Sequence, residues 1–408
     1  MSKKILIAIG SATILLLLGA WVYLFLFGTP ESVGQALNNL NSPETPFDQP
    51  IVGSLDTTVA VGNNNLAQLT TRPVAGFVLV NTGSQPTIRY AEKGTGHIYE
   101  INVISGAEER LDGTTSANTT EAYFSKDGAE AVLVLADSTE RSVVWRTAIG
   151  SGNSVPLSSN SHDFSWNEAG ALRYTERTTT GTTAYENNGE NLQLWSIPLS
   201  DVSVFFTENS AFVANNPAAR LSGSLYEIQD GNLAKVIGPA YSFTGLPDPD
   251  GQFLLYRYFD TENQANVAKI KDLFTDEETI VPLSSVPEKC AFNSVRRRVW
   301  CASSFMFLGQ DREYLNKWYR GEVVSADRIW TSDYGNWGVS SLEIDLSDAA
   351  GFDIDVIDMT VSDDGTMLLF RNKINDALWM YRLSEAPLEE SEETITETEA
   401  AATTTDAF

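Results

Sequence analysis

The chain has 408 residues, 42% of them hydrophobic, which allows one large all-β domain or two ordinary ones. Its 54 Asp and Glu face 27 Lys and Arg, a formal net charge of −27; a surface that negative repels phosphate backbones and argues against a nucleic-acid partner. With 2 His and 2 Cys, the chain is short of zinc ligands and of general bases, so no metal, no other cofactor and no catalytic residue is expected.

Residues 5–28, ILIAIGSATILLLLGAWVYLFLFG, carry no charge. As a helix they would rise ~36 Å, enough to cross a hydrocarbon core of about 30 Å. Lys3 and Lys4 precede the run and Glu31 is the first charge after it. The positive-inside bias therefore predicts a cytoplasmic N-terminus at residues 1–4, a transmembrane signal-anchor at 5–28 and everything later outside the membrane. Trp21 and Tyr23 fall near the outer interface. The rival reading is a cleaved signal peptide, whose apolar core is usually about 7–15 residues long; the length of this run and the poor cleavage site in FGTPESVGQA favour the anchor. Residues 29–50, rich in Pro, Asn and Ser, read as a spacer, with SVGQALNNL able to form a short helix.

Residues 51–384 read as one all-β domain. Runs of Val, Leu, Phe, Tyr and Trp recur about every ten residues, with Gly, Asn, Asp or Ser between them. A larger unit repeats as strand, polar turn, strand: EAYFSKDGAEAVLVLAD (121–137), HDFSWNEAGALRYTER (162–177), YSFTGLPDPDGQFLLYRYFD (241–260), CAFNSVRRRVWCAS (290–303) and DMTVSDDGTMLLFRNK (358–373). A third strand follows each, centred near residues 99, 145, 194, 226, 268, 330 and 380, and a shorter fourth run such as SVPLS (154–158) or TIVPLS (279–284) closes most units. Four antiparallel strands in ~40–50 residues make the blade of a β-propeller, and seven third strands predict seven blades. The last unit lacks a fourth strand of its own, so the strand-like stretch 56–70 is expected to complete it and close the ring, removing two sheet edges. A two-domain or sandwich arrangement is the alternative.

The S-x-D-G turns of SKDG (125–128) and SDDG (362–365), each followed by an apolar strand, resemble the WD40-like (PD40) repeats of TolB-like propellers, and LPDPDGQFLLY is similar to a degenerate copy. The resemblance implies a bacterial propeller outside the cytoplasmic membrane that mostly binds other proteins. The chain departs from TolB in having an anchor and no evident N-terminal α/β domain, so TolB's own partner is not carried over.

Cys290 and Cys301 lie on the two arms of CAFNSVRRRVWC. A two-residue turn at Val295-Arg296 would place them directly opposite each other, ~4.5 Å apart at Cα, within reach of a disulfide; two buried thiols are the other reading. His97 and His162 are candidate ligands or bases, against a structural hydrogen-bonding role. Asp248 and Asp250 in PDPDG have carboxylates suited to calcium, against an ordinary turn. Glu92, Glu176, Asp260 and Arg371 fall at second-strand ends and are candidates for a mouth of the ring, where a carboxylate pair could act on glycosides. The insertion at 308–330 places Tyr314, Trp318, Tyr319 and Arg320 among charges, a composition suited to an interaction loop, against a loop that packs over its own blade. From Glu385 the chain holds eight acidic residues and no basic one, which predicts a disordered acidic tail at 385–408.

These features point to a membrane-anchored extracytoplasmic propeller that binds or scaffolds an envelope protein without catalysis. The alternative is a glycan-acting hydrolase on the same scaffold, which would need two carboxylates in a deep axial pocket.

Overall fold

The computed structural model describes residues 65–383 except 81–85, 138, 230, 283–284 and 305–312. The anchor at 5–28, the spacer and the acidic tail lie outside the described residues. Among the described residues no helix is long and apolar enough to cross a membrane.

Among the described residues twenty-eight strands form seven four-stranded antiparallel sheets arranged as a β-propeller. Blade 1 comprises Val74–Val80, Thr87–Glu92, Ile98–Asn102 and Glu108–Asp112. Blade 2 comprises Thr119–Phe124, Ala131–Ala136, Arg141–Ala148 and Asn153–Leu157. Blade 3 comprises Ser161–Trp166, Leu172–Arg177, Thr182–Asn187 and Asn191–Ile197, and blade 4 Val202–Phe206, Ala211–Asn215, Ser222–Gln229 and Asn232–Tyr241. Blade 5 comprises Thr244–Pro247, Phe253–Asp260, Ala265–Asp272 and Glu278–Val281, and blade 6 Cys290–Asn293, Arg298–Ser303, Arg328–Asp333 and Ser341–Asp345. Blade 7 takes three strands from the C-terminal end, Val356–Val361, Met367–Asn372 and Leu378–Arg382, and its outermost from the N-terminal side, Leu66–Gln68. Leu66 pairs with Tyr381 and Gln68 with Trp379, so the ring closes as the missing fourth strand requires.

Seven apolar clusters hold the blades together, each shared by two neighbours. Val132, Val134 and Trp145 of blade 2 meet Phe164, Leu172 and Tyr174 of blade 3. Leu369 and Leu378 of blade 7 meet Val74, Ile88 and Tyr90 of blade 1, which completes the circuit. The second strands of blades 2 and 7 are covered on both faces, so AVLVLA and the first four residues of MLLFRN are continuously apolar. Successive residues serve opposite neighbours: Phe253 and Leu255 pack toward blade 6, Leu254 and Tyr256 toward blade 4. At Gly76 an added Cβ would lie 1.8 Å from the carbonyl oxygen of Ala122, so the inner strands of blades 1 and 2 approach too closely for any side chain there.

The S-x-D-G turns share one hydrogen-bond scheme. Ser125 and Ser362 each donate to the aspartate two residues on, at 2.6 Å, and each accepts the backbone N–H five residues on, at 2.9 Å. Gly128 and Gly365 take φ of 68° and 66°, conformations glycine supplies without strain.

One strand assignment differs from expectation. The run around residue 194 is the fourth strand of blade 3, and the third is the more polar Thr182–Asn187. Leu192 and Leu194 point into solvent, 61% and 38% exposed, so the apolar character of this edge strand does not signal a buried position. Among the described residues two short α-helices interrupt the β pattern, α1 (Tyr314–Tyr319) in the insertion and α2 (Leu346–Ala350) after the last strand of blade 6.

Candidate functional site

The innermost strands line an axial channel, and bulges in four of them shape its wall. Register shifts occur between Val74 and Gly76, Thr119 and Glu121, His162 and Ser165, and Ile357 and Thr360. A bulge re-aims side chains that would otherwise alternate between the faces of the blade. In blades 3 and 7 the bulged residues are Asp163 and Asp358, with φ of 53° and 52°. Such a left-handed backbone is uncommon for any residue with a side chain, though aspartate tolerates it better than most.

Both aspartates are engaged. Asp163 accepts from Arg177 Nη2 at 2.7 and 2.8 Å and from Thr175 Oγ1 at 2.6 Å. Asp358 accepts from Arg371 Nε at 2.7 Å; Arg371 also donates to the carbonyl of Val74 at 2.7 Å and to Asp376 at 3.1 Å, tying blade 7 to blade 1. Lys93 completes this chain of charges at 2.6 Å from Asp376.

Two tyrosine–glutamate pairs complete the wall. Tyr123 Oη donates to Glu121 at 2.8 Å, and Tyr319 Oη to Glu288 at 3.1 and 3.2 Å. Burial, with the neighbouring carboxylate, raises both phenols well above their ordinary value. Burial also raises the Glu288 carboxyl, and the charge of Asp358 adds to that. One cavity of about 640 Å³ is lined by both pairs together with Arg141, His162, Asp163 and Arg177. A second, of about 1330 Å³, shares Glu121, Tyr123 and Glu288 with it and adds Asp358 and Arg371. The channel thus gathers carboxylates from blades 2, 3 and 7 and from the turn before blade 6, a convergence the spacing of these acids in the sequence did not disclose.

Of the residues singled out in the sequence, His162, Asp248 and Tyr319 line the smaller cavity and Arg371 the larger. Burial, with Arg177 and Arg141 close by, pushes the His162 imidazole down to about 4, so it is neutral near pH 7. His97 instead bonds Thr115 at 3.0 Å. Glu92 accepts from Thr95 at 2.6 Å, and Asp260 caps its own turn by accepting from Glu262 N at 2.8 Å. Glu176 sits opposite Ser161 in the blade 3 ladder. Asp248 occupies the position that serine holds in the S-x-D-G turns, accepting from the backbone N–H of Gln252 and Phe253 at 2.7 and 2.9 Å, and burial pushes its carboxyl up to about 6. PDPDG is accordingly a hairpin turn, and among the described residues no three His, Cys, Asp or Glu side chains are grouped to hold a metal ion.

Cys290 and Cys301 are paired across the first two strands of blade 6 and joined as a disulfide, with Cα atoms 4.1 Å apart. In the insertion, Tyr314 and Trp318 are buried beneath their own segment, so these two rings anchor it and are not presented to a partner. Tyr319 turns into the channel, and Arg320 is exposed and pairs with Glu322 at 2.6 Å. The anchoring beneath α1 is ionic. Lys289 Nζ, fully buried, donates to Asp355 at 2.6 Å, to Ser325 at 2.8 Å and to Asp327, while Trp318 Nε1 donates to both oxygens of Asp355 at 3.0 Å. The 3-10 turn Pro287–Lys289 therefore sends Lys289 into the core and Glu288 into the channel from adjacent positions.

No protein-family model and no curated protein matches the sequence. Solved structures match the fold. An oligogalacturonate lyase in complex with manganese superposes with a TM-score of 0.53 at 13% identity, covering 78% of this chain and 93% of its own. An oligogalacturonate lyase from Vibrio parahaemolyticus gives 0.52 at 12% identity, with coverage of 83% and 96%. The β-propeller domain of the trilobed protease from Pyrococcus furiosus gives 0.50 at 13% identity, with coverage of 77% and 99%. At these identities the likeness establishes the propeller fold alone.

Proposed function

We propose that the chain is a membrane-anchored propeller held outside the cytoplasmic membrane, a TolB-like binding or scaffolding module for another envelope protein, without catalysis. The charge-free run at 5–28 supports the anchor. The Cys290–Cys301 disulfide supports an oxidising compartment, since such bonds persist mainly outside the cytoplasm. The observation that carries the binding reading is the self-pairing of the channel wall. Asp163 with Arg177 and Asp358 with Arg371 are satisfied by each other, which suits a surface built to hold a shape.

The test is co-purification of the full-length chain from membranes after cross-linking in cells. One envelope protein is expected in fixed ratio, reduced at least tenfold by Asp358→Asn, which breaks the pair at a half-exposed position of the channel wall. No protein above background, or an unchanged ratio in the variant, counts against the reading.

One observation favours the hydrolase alternative. Glu288, whose carboxyl burial pushes toward its protonated form, lines a cavity with the arginine-paired Asp358, and two carboxyl groups facing one cavity are the equipment of glycoside cleavage. Turnover of an oligosaccharide by the purified chain, abolished by Glu288→Gln, would replace the non-catalytic reading.

A further inference from the structure

The 640 Å³ cavity is large enough for a small ligand of two or three rings. Its two arginines lie beside carboxylates, while Glu121 and Glu288 are held by the hydroxyls of Tyr123 and Tyr319. Asp163 is locked to Arg177 at 2.7 Å, and Arg141 lies close enough to feel the charges of Glu121 and Asp163 while its own guanidinium donates to the carbonyl of Ser161 at 2.8 Å. An anion entering here meets Glu121 and Asp163 as soon as it meets the arginines. A cation at Asp163 meets Arg177 and Arg141 there. Any ion that recruits Asp163 or Arg177 must break their pair, leaving the other partly buried without a counter-charge.

An uncharged ligand rich in hydroxyls faces no such conflict. A hydroxyl both donates and accepts, so neighbouring hydroxyls can donate to the remaining carboxylate lone pairs and accept from the adjoining N–H groups. His162 offers one more donor and one more acceptor, since among the described residues its neutral ring makes no hydrogen bond. An aromatic platform is also present. Tyr123 leaves 36% of its surface exposed inside the channel, and its ring rests 5.2 Å from that of the buried Phe164. Aromatic rings of this kind, with a polar handle at one end, suit the mixed apolar and hydroxyl faces of a pyranose.

We propose that this cavity binds a neutral saccharide, the ring of one sugar lying on Tyr123 and its hydroxyls bridging Asp163, Arg177 and His162. This goes beyond the scaffold reading and does not depend on it: loss of saccharide binding leaves protein capture untouched, and failed capture leaves saccharide binding in place.

The test is titration calorimetry of the purified full-length chain with four probes: maltotriose and tri-N-acetylchitotriose, both neutral, the cationic glucosamine trimer and the anionic trigalacturonate. One neutral probe is expected to bind more tightly than about 1 mM, and both charged probes at least about tenfold more weakly. Tyr123→Ala should weaken the neutral probe about tenfold. Asp163→Asn keeps a residue that tolerates the left-handed backbone and leaves Arg177 uncompensated. It should weaken the neutral probe and strengthen trigalacturonate, a reversal of charge preference that mere loss of packing would not produce. Thermal melting of both variants establishes that they fold. The proposal is overturned if no neutral probe binds, if a charged probe binds as tightly in the unmodified chain, or if folded Tyr123→Ala and Asp163→Asn both bind as it does.

Discussion

Asp163 and Asp358 hold a left-handed backbone in the middle of an inner strand, a conformation that costs free energy unless its surroundings compensate. Here each is fixed by an arginine from the neighbouring strand, and the bulge turns its carboxylate toward the axis. His162, beside Asp163, is the complementary case, a titratable ring kept uncharged. Its folded value of about 4 lies below the ordinary 6.5, so the unfolded chain takes up the proton first. The stability this ring contributes is complete above about pH 6.5 and is lost as the pH falls toward 4. His162→Gln should therefore make the fall in melting temperature between pH 6.5 and pH 4 less steep than in the unmodified chain. Parallel curves over that interval would show that the imidazole is not held neutral.

The insertion shows two roles that share one composition. Its composition of aromatics among charges is shared by interfaces and by segments that pack onto their own domain, and local sequence does not separate the two. The deciding contacts are remote: Lys289 reaches Asp355 across 66 positions and Trp318 reaches it across 37. Buried carboxylates need a counter-charge; burial raises Asp327 above its ordinary value, and Lys289 offsets part of that rise. Lys289→Met would leave two acids in the core without it, at a cost of about 3–5 kcal/mol in unfolding free energy measured by urea denaturation. A loss below about 1 kcal/mol would mean that water or a second cation replaces the lysine. Blade 3 holds the converse lesson. Its outer strand carries exposed leucines and its third strand is polar, so apolar content ranked the two in the wrong order.

For the whole molecule the decisive joint is the closure of blade 7. Leu66, 3% exposed, belongs to the cluster shared by blades 6 and 7, and Thr70 Oγ1 accepts from Leu378 N at 3.0 Å while donating to the carbonyl of Arg72 at 3.0 Å. Leu66→Ala should cost about 2–4 kcal/mol through the lost burial and the cavity left behind. The same denaturation experiment should show a single transition, because every blade packs on two neighbours. A second transition would mean that the closing strand opens independently of the ring.

What the sequence determined by itself was local and periodic. The strand–turn–strand repeat, the serine and glycine positions of the hairpin turns, the opposition of Cys290 and Cys301 and the missing fourth strand all follow from two-residue alternation and turn chemistry over short spans. The tertiary structure decided which side chains meet at the axis. Glu121, His162, Glu288 and Tyr319 share a cavity because inter-blade packing sets the radius of the ring and the bulges set the aim of each inner strand. Arg371 finds the carbonyl of Val74 across 297 positions for the same reason. No spacing within one repeat records these contacts, since each blade acquires its channel neighbours only when the circle closes.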